Sequence, residues 1–251
     1  MSGLGGTSNG DDAGVMGINN NLSPDSRGVG VHGEAETGEG VLGETNSLNF
    51  AAVAGFQKNA ASKGAGVFGE SLGANPGVHG NAMGNAGIGV RGTGARLAGL
   101  FEGDVEVTGD IRFTHGNDCA EEFNIAGLET VEPGTVMVLT EGGALQPSQQ
   151  AYDKRVAGVI SGAGNYKPGI VLDKQRSQPN RKPIALLGKV YCKVDASYAP
   201  IEVGDLLTTS PTPGHAMKAV DAPKAFGSVI GKAMGAAREG QTMIPVLVAL
   251  Q

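Results

Sequence analysis

The stretch that decides the fold is Gly66-Val67-Phe68-Gly69, a tetrad that recurs eleven residues later as Gly77-Val78-His79-Gly80. The same Gly-Val-x-Gly pattern runs along the first 113 residues, and its closing glycines are 10 to 16 residues apart. A recurring interval of this kind predicts a repeat architecture. The other copies are Gly14-Val15-Met16-Gly17, Gly30-Val31-His32-Gly33, Gly40-Val41-Leu42-Gly43 and Gly89-Val90-Arg91-Gly92, with the degenerate forms Ala52-Val53-Ala54-Gly55 and Gly99-Leu100-Phe101-Glu102-Gly103.

The second position of the tetrad is almost always valine, while the third position varies widely. Successive side chains of a strand point to opposite faces. The pattern therefore predicts a valine column that faces a narrow interior and a variable column that faces outward or toward a neighbouring chain. The glycines permit tight corners and a close approach of one backbone to another.

Energetics favour several chains over one. A fully buried valine contributes about 1.5–3 kcal/mol, whereas ordering ten or more residues costs at least about 10 kcal/mol. Three identical chains around one axis would supply the missing walls, so we expect residues 1–113 to form a homotrimeric triple β-helix or β-solenoid-like shaft. A solenoid of one chain and a disordered glycine-rich segment are the alternatives.

The second part of the chain changes in character. Val105, Val107, Ile111 and Phe113 alternate with polar residues, which predicts a β-hairpin or a last rung over residues 98–113. A linker is expected at 114–117, and residues 114–251 are expected to form a compact all-β, barrel-like C-terminal head domain. Strands are predicted at 135–140, 156–160, 169–172, 184–194, 205–209, 227–233 and 243–250, with a helical turn at 233–238.

Composition excludes several classes of protein. Residues 1–113 contain six Lys/Arg and twelve Asp/Glu, so no basic cluster is available for nucleic acid. The first residues contain neither a charged n-region nor an apolar h-region, so we expect no signal peptide. No apolar run approaches the length of about 18 residues that a membrane span needs. The two cysteines, Cys119 and Cys192, are expected to be buried free thiols, although a single disulfide remains an alternative.

Candidate chemistry is sparse. His32 and His79 share the variable tetrad position and could form metal-binding rings in a trimer, but solvent exposure is the preferred interpretation. The cluster Asp118, Glu121 and Glu122 could support acid–base work, but solvated charges or interface partners are the preferred interpretation.

Two other patterns are weaker. Ser210, His215 and Asp205 have the residue types of a nucleophilic triad but no oxyanion hole. The pattern Gly28-Val29-Gly30-Val31-His32-Gly33 lacks the strand–helix context of a dinucleotide site. We therefore assign no catalytic, cofactor-binding or metal-binding residue and expect no enzyme activity toward an external substrate.

The tetrad series, together with Asp118-Cys119-Ala120-Glu121-Glu122-Phe123, resembles phage tail fibre and tail-spike-like proteins. Further segments that carry this resemblance are Tyr152-Asp153-Lys154-Arg155-Val156-Ala157-Gly158-Val159-Ile160-Ser161 and Gly204-Asp205-Leu206-Leu207-Thr208-Thr209-Ser210. The resemblance implies a C-terminal trimerisation head or intramolecular chaperone, which in some members of the family cuts itself off after assembly.

The function expected from these observations is that of a homotrimeric structural fibre or spike of a phage tail or contractile-injection appendage, with a role in receptor binding. Its expected partners are further copies of the chain, other appendage proteins and a cell-surface glycan, and its expected location is the virion or an extracellular appendage. A self-cleaving assembly domain and a carbohydrate-binding surface module are the alternative functions. The absence of tryptophan disfavours sugar stacking.

Overall fold

A computed structural model describes residues 18, 29, 31–127, 130–175 and 180–249. The first tetrad, Gly14-Val15-Met16-Gly17, lies outside these residues. The chain divides into two compact units, one extending to Glu102 and the other beginning at Gly103. The sequence placed the boundary after Phe113.

The first unit contains the tetrads, and we call its residues 31–102 the repeat segment. Every residue from 31 to 115 is exposed, and none of them belongs to a strand or a helix. The strands predicted at the tetrads, and the hairpin or rung predicted at 98–113, are therefore not formed by the single chain. The physical reason is that a ladder requires a neighbouring strand, and successive tetrads here approach through glycine contacts instead of paired backbone hydrogen bonds.

The second unit contains the head, whose described residues form ten strands and one short helix. The all-β fold class is confirmed. The elements are β1 (Gly116–Asn124), β2 (Val136–Leu139), β3 (Leu145–Pro147), β4 (Val156–Ile160), β5 (Lys167–Leu172), β6 (Arg181–Asp195), β7 (Leu206–Thr209), β8 (Ala216–Lys218), α1 (Ala222–Ala225), β9 (Val229–Ala233) and β10 (Gln241–Ala249).

A closed barrel forms the centre of the head. Its strands follow the order β6-β10-β9-β7-β8, and β8 pairs with β6 again to complete the ring. The predicted barrel-like head is thus confirmed. Its interior is filled by side chains that solvent does not reach, among them Val190, Cys192, Val194, Leu207, Ile230, Val246 and Val248.

The long strand β6 connects the barrel to the rest of the sheet. Its first half pairs with β1 and β4, and its second half pairs with β10. Gly188 lies near the middle with φ of +112°, and a Cβ there would lie 2.6 Å from the carbonyl oxygen of Asn117. Glycine is therefore required at this position of β6, where the backbone of β1 at Asn117 and Asp118 comes very close. A second core cluster is formed by side chains of β2, β3, β4 and β6, including Met137, Leu145, Ile160 and Ile184.

The helix differs from the prediction. No helical turn forms at 233–238, because Ala237 makes an isolated bridge with Ile201. The helix lies instead at α1, where Asp221 caps the N-terminus by accepting a hydrogen bond from the Lys224 amide at 3.2 Å. Within the described residues, no helix has the length and apolar character needed to cross a membrane.

Candidate assembly interface

Successive tetrads of the repeat segment stack through glycine. A Cβ placed on the closing glycine of one tetrad would lie within 2.5–2.6 Å of a Cγ2 atom in the valine of the next tetrad. Real Cβ atoms essentially never approach another heavy atom so closely, so any larger residue would push the tetrads apart. The pairs at these distances are Gly33 with Val41, Gly55 with Val67, Gly69 with Val78, and Gly80 with Val90.

The opening glycines complete the stack. A Cβ on Gly77 would lie 2.8 Å from the carbonyl oxygen of Gly69, and one on Gly89 would lie 2.7 Å from that of Gly80. None of these four glycines has a positive φ. Of the two reasons the sequence suggested for glycine at the tetrads, close backbone approach is therefore the one that applies at these positions.

The stacking leaves the valine column uncovered. From Val41 onward, each valine lies against the closing glycine of the preceding tetrad on one side. The tetrad valines nevertheless stay exposed to about the same extent in every described copy. The exposed fractions are 68% for Val31, 72% for Val41, 70% for Val53, 70% for Val67, 70% for Val78 and 74% for Val90. A recurring apolar row of this size is unusual on a single soluble chain and is typical of an interaction surface.

Side chains at the third tetrad position are exposed as well, including Leu42 at 69% and Phe68 at 79%. His32 and His79 are exposed in the single chain. Within the described residues, no group of three His, Cys, Asp or Glu side chains could hold a metal ion.

The three acidic residues of the cluster in the head, Asp118, Glu121 and Glu122, lie in different environments. Asp118 is 6% exposed, and its Oδ2 accepts a hydrogen bond from Ser161 Oγ at 2.8 Å. Its Oδ1 has no hydrogen-bond partner among the described residues, and burial raises the pKa of this carboxyl. Asp118 thus differs from the solvated charge that the sequence favoured, because the pairing of β1 with β6 places it opposite Gly188, with Ser161 on its carboxyl.

Glu122 has a different environment, since its carboxylate lies 3.8 Å from Nε of Arg181. The Arg181 guanidinium also donates to Asn124 Oδ1, at 3.2 Å, and to Asp173. This arginine therefore ties the end of β1 to the residues that follow β5. Glu121 lies on β1 and is partly exposed.

Ser210, His215 and Asp205 do not form a triad. Ser210 Oγ donates to the carbonyl oxygens of Thr212, at 3.1 Å, and of His215, at 3.0 Å. The imidazole of His215 donates through Nδ1 to the carbonyl oxygen of Pro213 at 2.8 Å. Asp205 is paired with Lys218 at 2.8 Å. Each side chain therefore stabilises the turn between β7 and β8 or its flanks.

Both cysteines are free thiols. Cys192 is fully buried in the barrel, and burial raises the pKa of its thiol to about 12. Cys119 is only partly buried, which differs from the expectation for that residue.

The interface contains one feature that the sequence analysis missed. Strand β5 pairs only with β1, so its other edge is free within the described part of the head. Ile170 and Leu172 on this strand are 39% and 48% exposed. Their alternation was visible in the sequence, but the open edge was not, because it depends on which strands pair.

Comparisons with known proteins give a narrow result. No protein-family profile and no curated protein matches the chain. Among solved structures, the pre-mature form of bacteriophage phi29 gene product 12 is similar with a TM-score of 0.43 and 14% identity, covering 58% of this chain and 23% of that one. The C-terminal fragment of the same phage protein is similar with a TM-score of 0.37 and 16% identity, covering 52% of this chain and 99% of the fragment. Both TM-scores lie below 0.5, so neither likeness assigns a family or a function.

Proposed function

We propose that the chain is a structural subunit of a homotrimeric fibre or spike, in which three copies enclose the valine column of the repeat segment. The observation that carries the proposal is the similar exposure, 68–74%, of the six described tetrad valines, five of which lie against the closing glycine of the preceding tetrad. Each one forgoes most of the roughly 1.5–3 kcal/mol that full burial of such a side chain provides.

The contrast between the two units supports assembly through the repeat segment. The head buries its own core in a closed barrel. The repeat segment has no buried residue between positions 31 and 102. Ordering its backbone at about 1 kcal/mol per residue needs a compensating burial that the segment itself does not provide.

Three chains suit the shape of the column. Valine is short and β-branched, so three valines at one level fill a narrow axis without leaving a channel. The glycines on either side let the backbones approach that axis closely. Two chains would leave one side of every valine open to water.

The sequence motifs supply the context of the proposal. Their resemblance to tail fibre and tail-spike-like proteins favours a phage tail or a contractile-injection appendage. The proposed partners are other appendage proteins, and the proposed further role is binding of a cell-surface receptor such as a glycan. The proposed subunit is not an enzyme acting on external substrates.

Light scattering on the full chain tests this proposal. The expected mass is three times the 25.3 kDa of one chain. Val67→Asp should lower the mass to that of one chain, because three carboxylates would be forced together on the axis. Asn75→Asp adds the same charge in a turn between tetrads and should leave the trimer intact. A wild-type mass of one chain over a range of concentrations would overturn the proposal.

A further inference from the structure

Residues 103–113, which we call the connecting segment, have the pattern of a strand without belonging to one. Their apolar side chains alternate with charged or polar ones, and the apolar members are all exposed. The exposed fractions are 61% for Val105, 47% for Val107, 64% for Ile111 and 49% for Phe113. Within the described part of the chain, residues 103–112 make no hydrogen bond and no ion pair. Such a segment has an apolar face that is open to water, and its backbone N–H and C=O groups are available for hydrogen bonds with another strand.

The nearest strand of its own chain is not available. The connecting segment leads directly into β1, but β1 is paired with β5 on one side and β6 on the other. A hairpin between the connecting segment and β1 is therefore blocked.

The connecting segment does not pair with the free edge of β5 in its own chain. Its last residue, Phe113, lies against the face of β1 and β5, since a Cβ on Gly116 would lie 3.0 Å and one on Gly169 would lie 3.3 Å from Cβ of Phe113. The residues from Phe113 to Gly116 form a turn, in which the Gly116 amide donates to the Phe113 carbonyl oxygen at 3.3 Å.

The free edge of β5 matches the connecting segment in chemistry. In an antiparallel pairing that places Val107 opposite Ile170, Val105 lies opposite Leu172, and both apolar pairs fall on one face of the sheet. The same register places Asp110 opposite Lys167 on the other face. Lys167 donates to the carbonyl oxygen of Gly162 at 2.6 Å, and it forms no ion pair with a carboxylate of the described residues.

The pairing would also extend a row that already exists on the head. Ile170 lies opposite Cys119 of β1, and Cys119 lies opposite Leu187 of β6. Leu187 is 61% exposed. Val107 beside Ile170 would continue this apolar row by one strand.

We propose that the connecting segment of one copy adds to the free edge of β5 in a neighbouring copy as an antiparallel strand, which links the heads of the assembly. The proposal rests on the proposed homotrimer, because chains already joined along their repeat segments present the segment to the neighbour's β5 at a high effective concentration. Backbone hydrogen bonds would supply the affinity, and the two apolar pairs with the Asp110–Lys167 pair would set the register.

Disulfide crosslinking of the full chain tests the register. The variant Val107→Cys, Ile170→Cys, made together with Cys119→Ser, should form bonds between chains under mild oxidation and migrate as linked chains on a non-reducing gel. Facing residues of adjacent strands fall within the range of Cα distances that a disulfide allows. The matched control replaces Val107→Cys by Glu106→Cys, which points to the opposite face and should crosslink at least tenfold less.

Two other crosslinking patterns would contradict the strand addition. Efficient crosslinking by Val107→Cys without Ile170→Cys would show that the three connecting segments meet one another, and a bond within one chain would show self-pairing. Either result overturns the strand addition. Light scattering on the same samples separates the two proposals. A trimer that forms no Val107–Ile170 crosslinks would contradict only the strand addition, whereas a monomer would contradict both proposals.

The charge pair provides an independent readout. Asp110→Lys should reduce the crosslinking yield of the double-cysteine variant, and adding Lys167→Asp should restore it. A yield that neither change alters would contradict the proposed register.

Discussion

Gly55 and Val67 are in contact across two successive tetrads, so that a Cβ on Gly55 would lie 2.6 Å from Cγ2 of Val67. Position 55 must be glycine because no side chain fits there. The contact positions Val67 and leaves the other side of its side chain exposed to solvent. One relationship thus explains both the spacing of the repeat and the exposed column.

Gly55→Ala should weaken the assembly. The added methyl group has no space between the tetrads, and overpacking of this kind costs about 1–3 kcal/mol per site. We expect calorimetry to show a lower thermal midpoint than that of the wild type. On dilution, light scattering should show that the variant trimer dissociates at protein concentrations at which the wild-type trimer is still intact.

Gly73→Ala is the matched control for this substitution. A Cβ at Gly73 meets no atom within 4 Å, and its φ is not positive. Equal effects of the two substitutions would contradict the stacking account.

Asp118→Asn should change how the stability of the head depends on pH. Burial holds the pKa of Asp118 above its ordinary value of 3.8, so the folded protein keeps this proton to a higher pH than the unfolded chain does. The wild-type protein therefore loses stability relative to the variant as the pH rises from about 3.8 through the folded pKa. Each pKa unit between the two states corresponds to about 1.4 kcal/mol.

Urea unfolding of both proteins across that pH window measures the difference. Asp153, Asp195 and Asp205 have lowered pKa values and contribute stability that is lost as the pH falls, but they are present in both proteins and cancel. Glu239→Gln, at an exposed position, is the control. A difference between wild type and Asp118→Asn that stays constant with pH would rule out a raised pKa.

The two thiols should react very differently. Raising the pKa of Cys192 from 9.0 to about 12 lowers its thiolate fraction at neutral pH about 1000-fold, and its side chain is fully buried. Native protein treated with iodoacetamide should gain one adduct, at Cys119, whereas unfolded protein should gain two. Mass spectrometry of the intact chain counts them, and the Cys119→Ser variant should gain none while folded. Two native adducts formed at similar rates would contradict the closed barrel.

Much of the head could be predicted from the sequence, because alternation and Gly/Pro turns are local signals. The strands β2, β4, β6 and β10 are confirmed within a few residues of their predicted ends. Strand β1 was missed, since Gly116 and Asn117 suggest a linker. Pairing on both sides by β5 and β6 overrides that local preference.

The interface was predictable only in part. The valine column is visible in the sequence as a spacing, and its exposure on a single chain follows from how little apolar area one tetrad contains. The contact of each closing glycine with the next valine, and the free edge of β5, depend on distances between segments that no local pattern encodes. The burial of Asp118 likewise depends on the pairing of β1 with β6, which places Asp118 opposite Gly188.

Thiol protection at the valine column tests the central claim most directly. In a Cys119→Ser background, Val67→Cys should react with a maleimide at least tenfold more slowly than Gly73→Cys while the protein is assembled, and equally fast after the chains are separated. The account predicts this protection because sister chains cover Val67. Equal reaction rates of the two thiols in the untreated protein would contradict it.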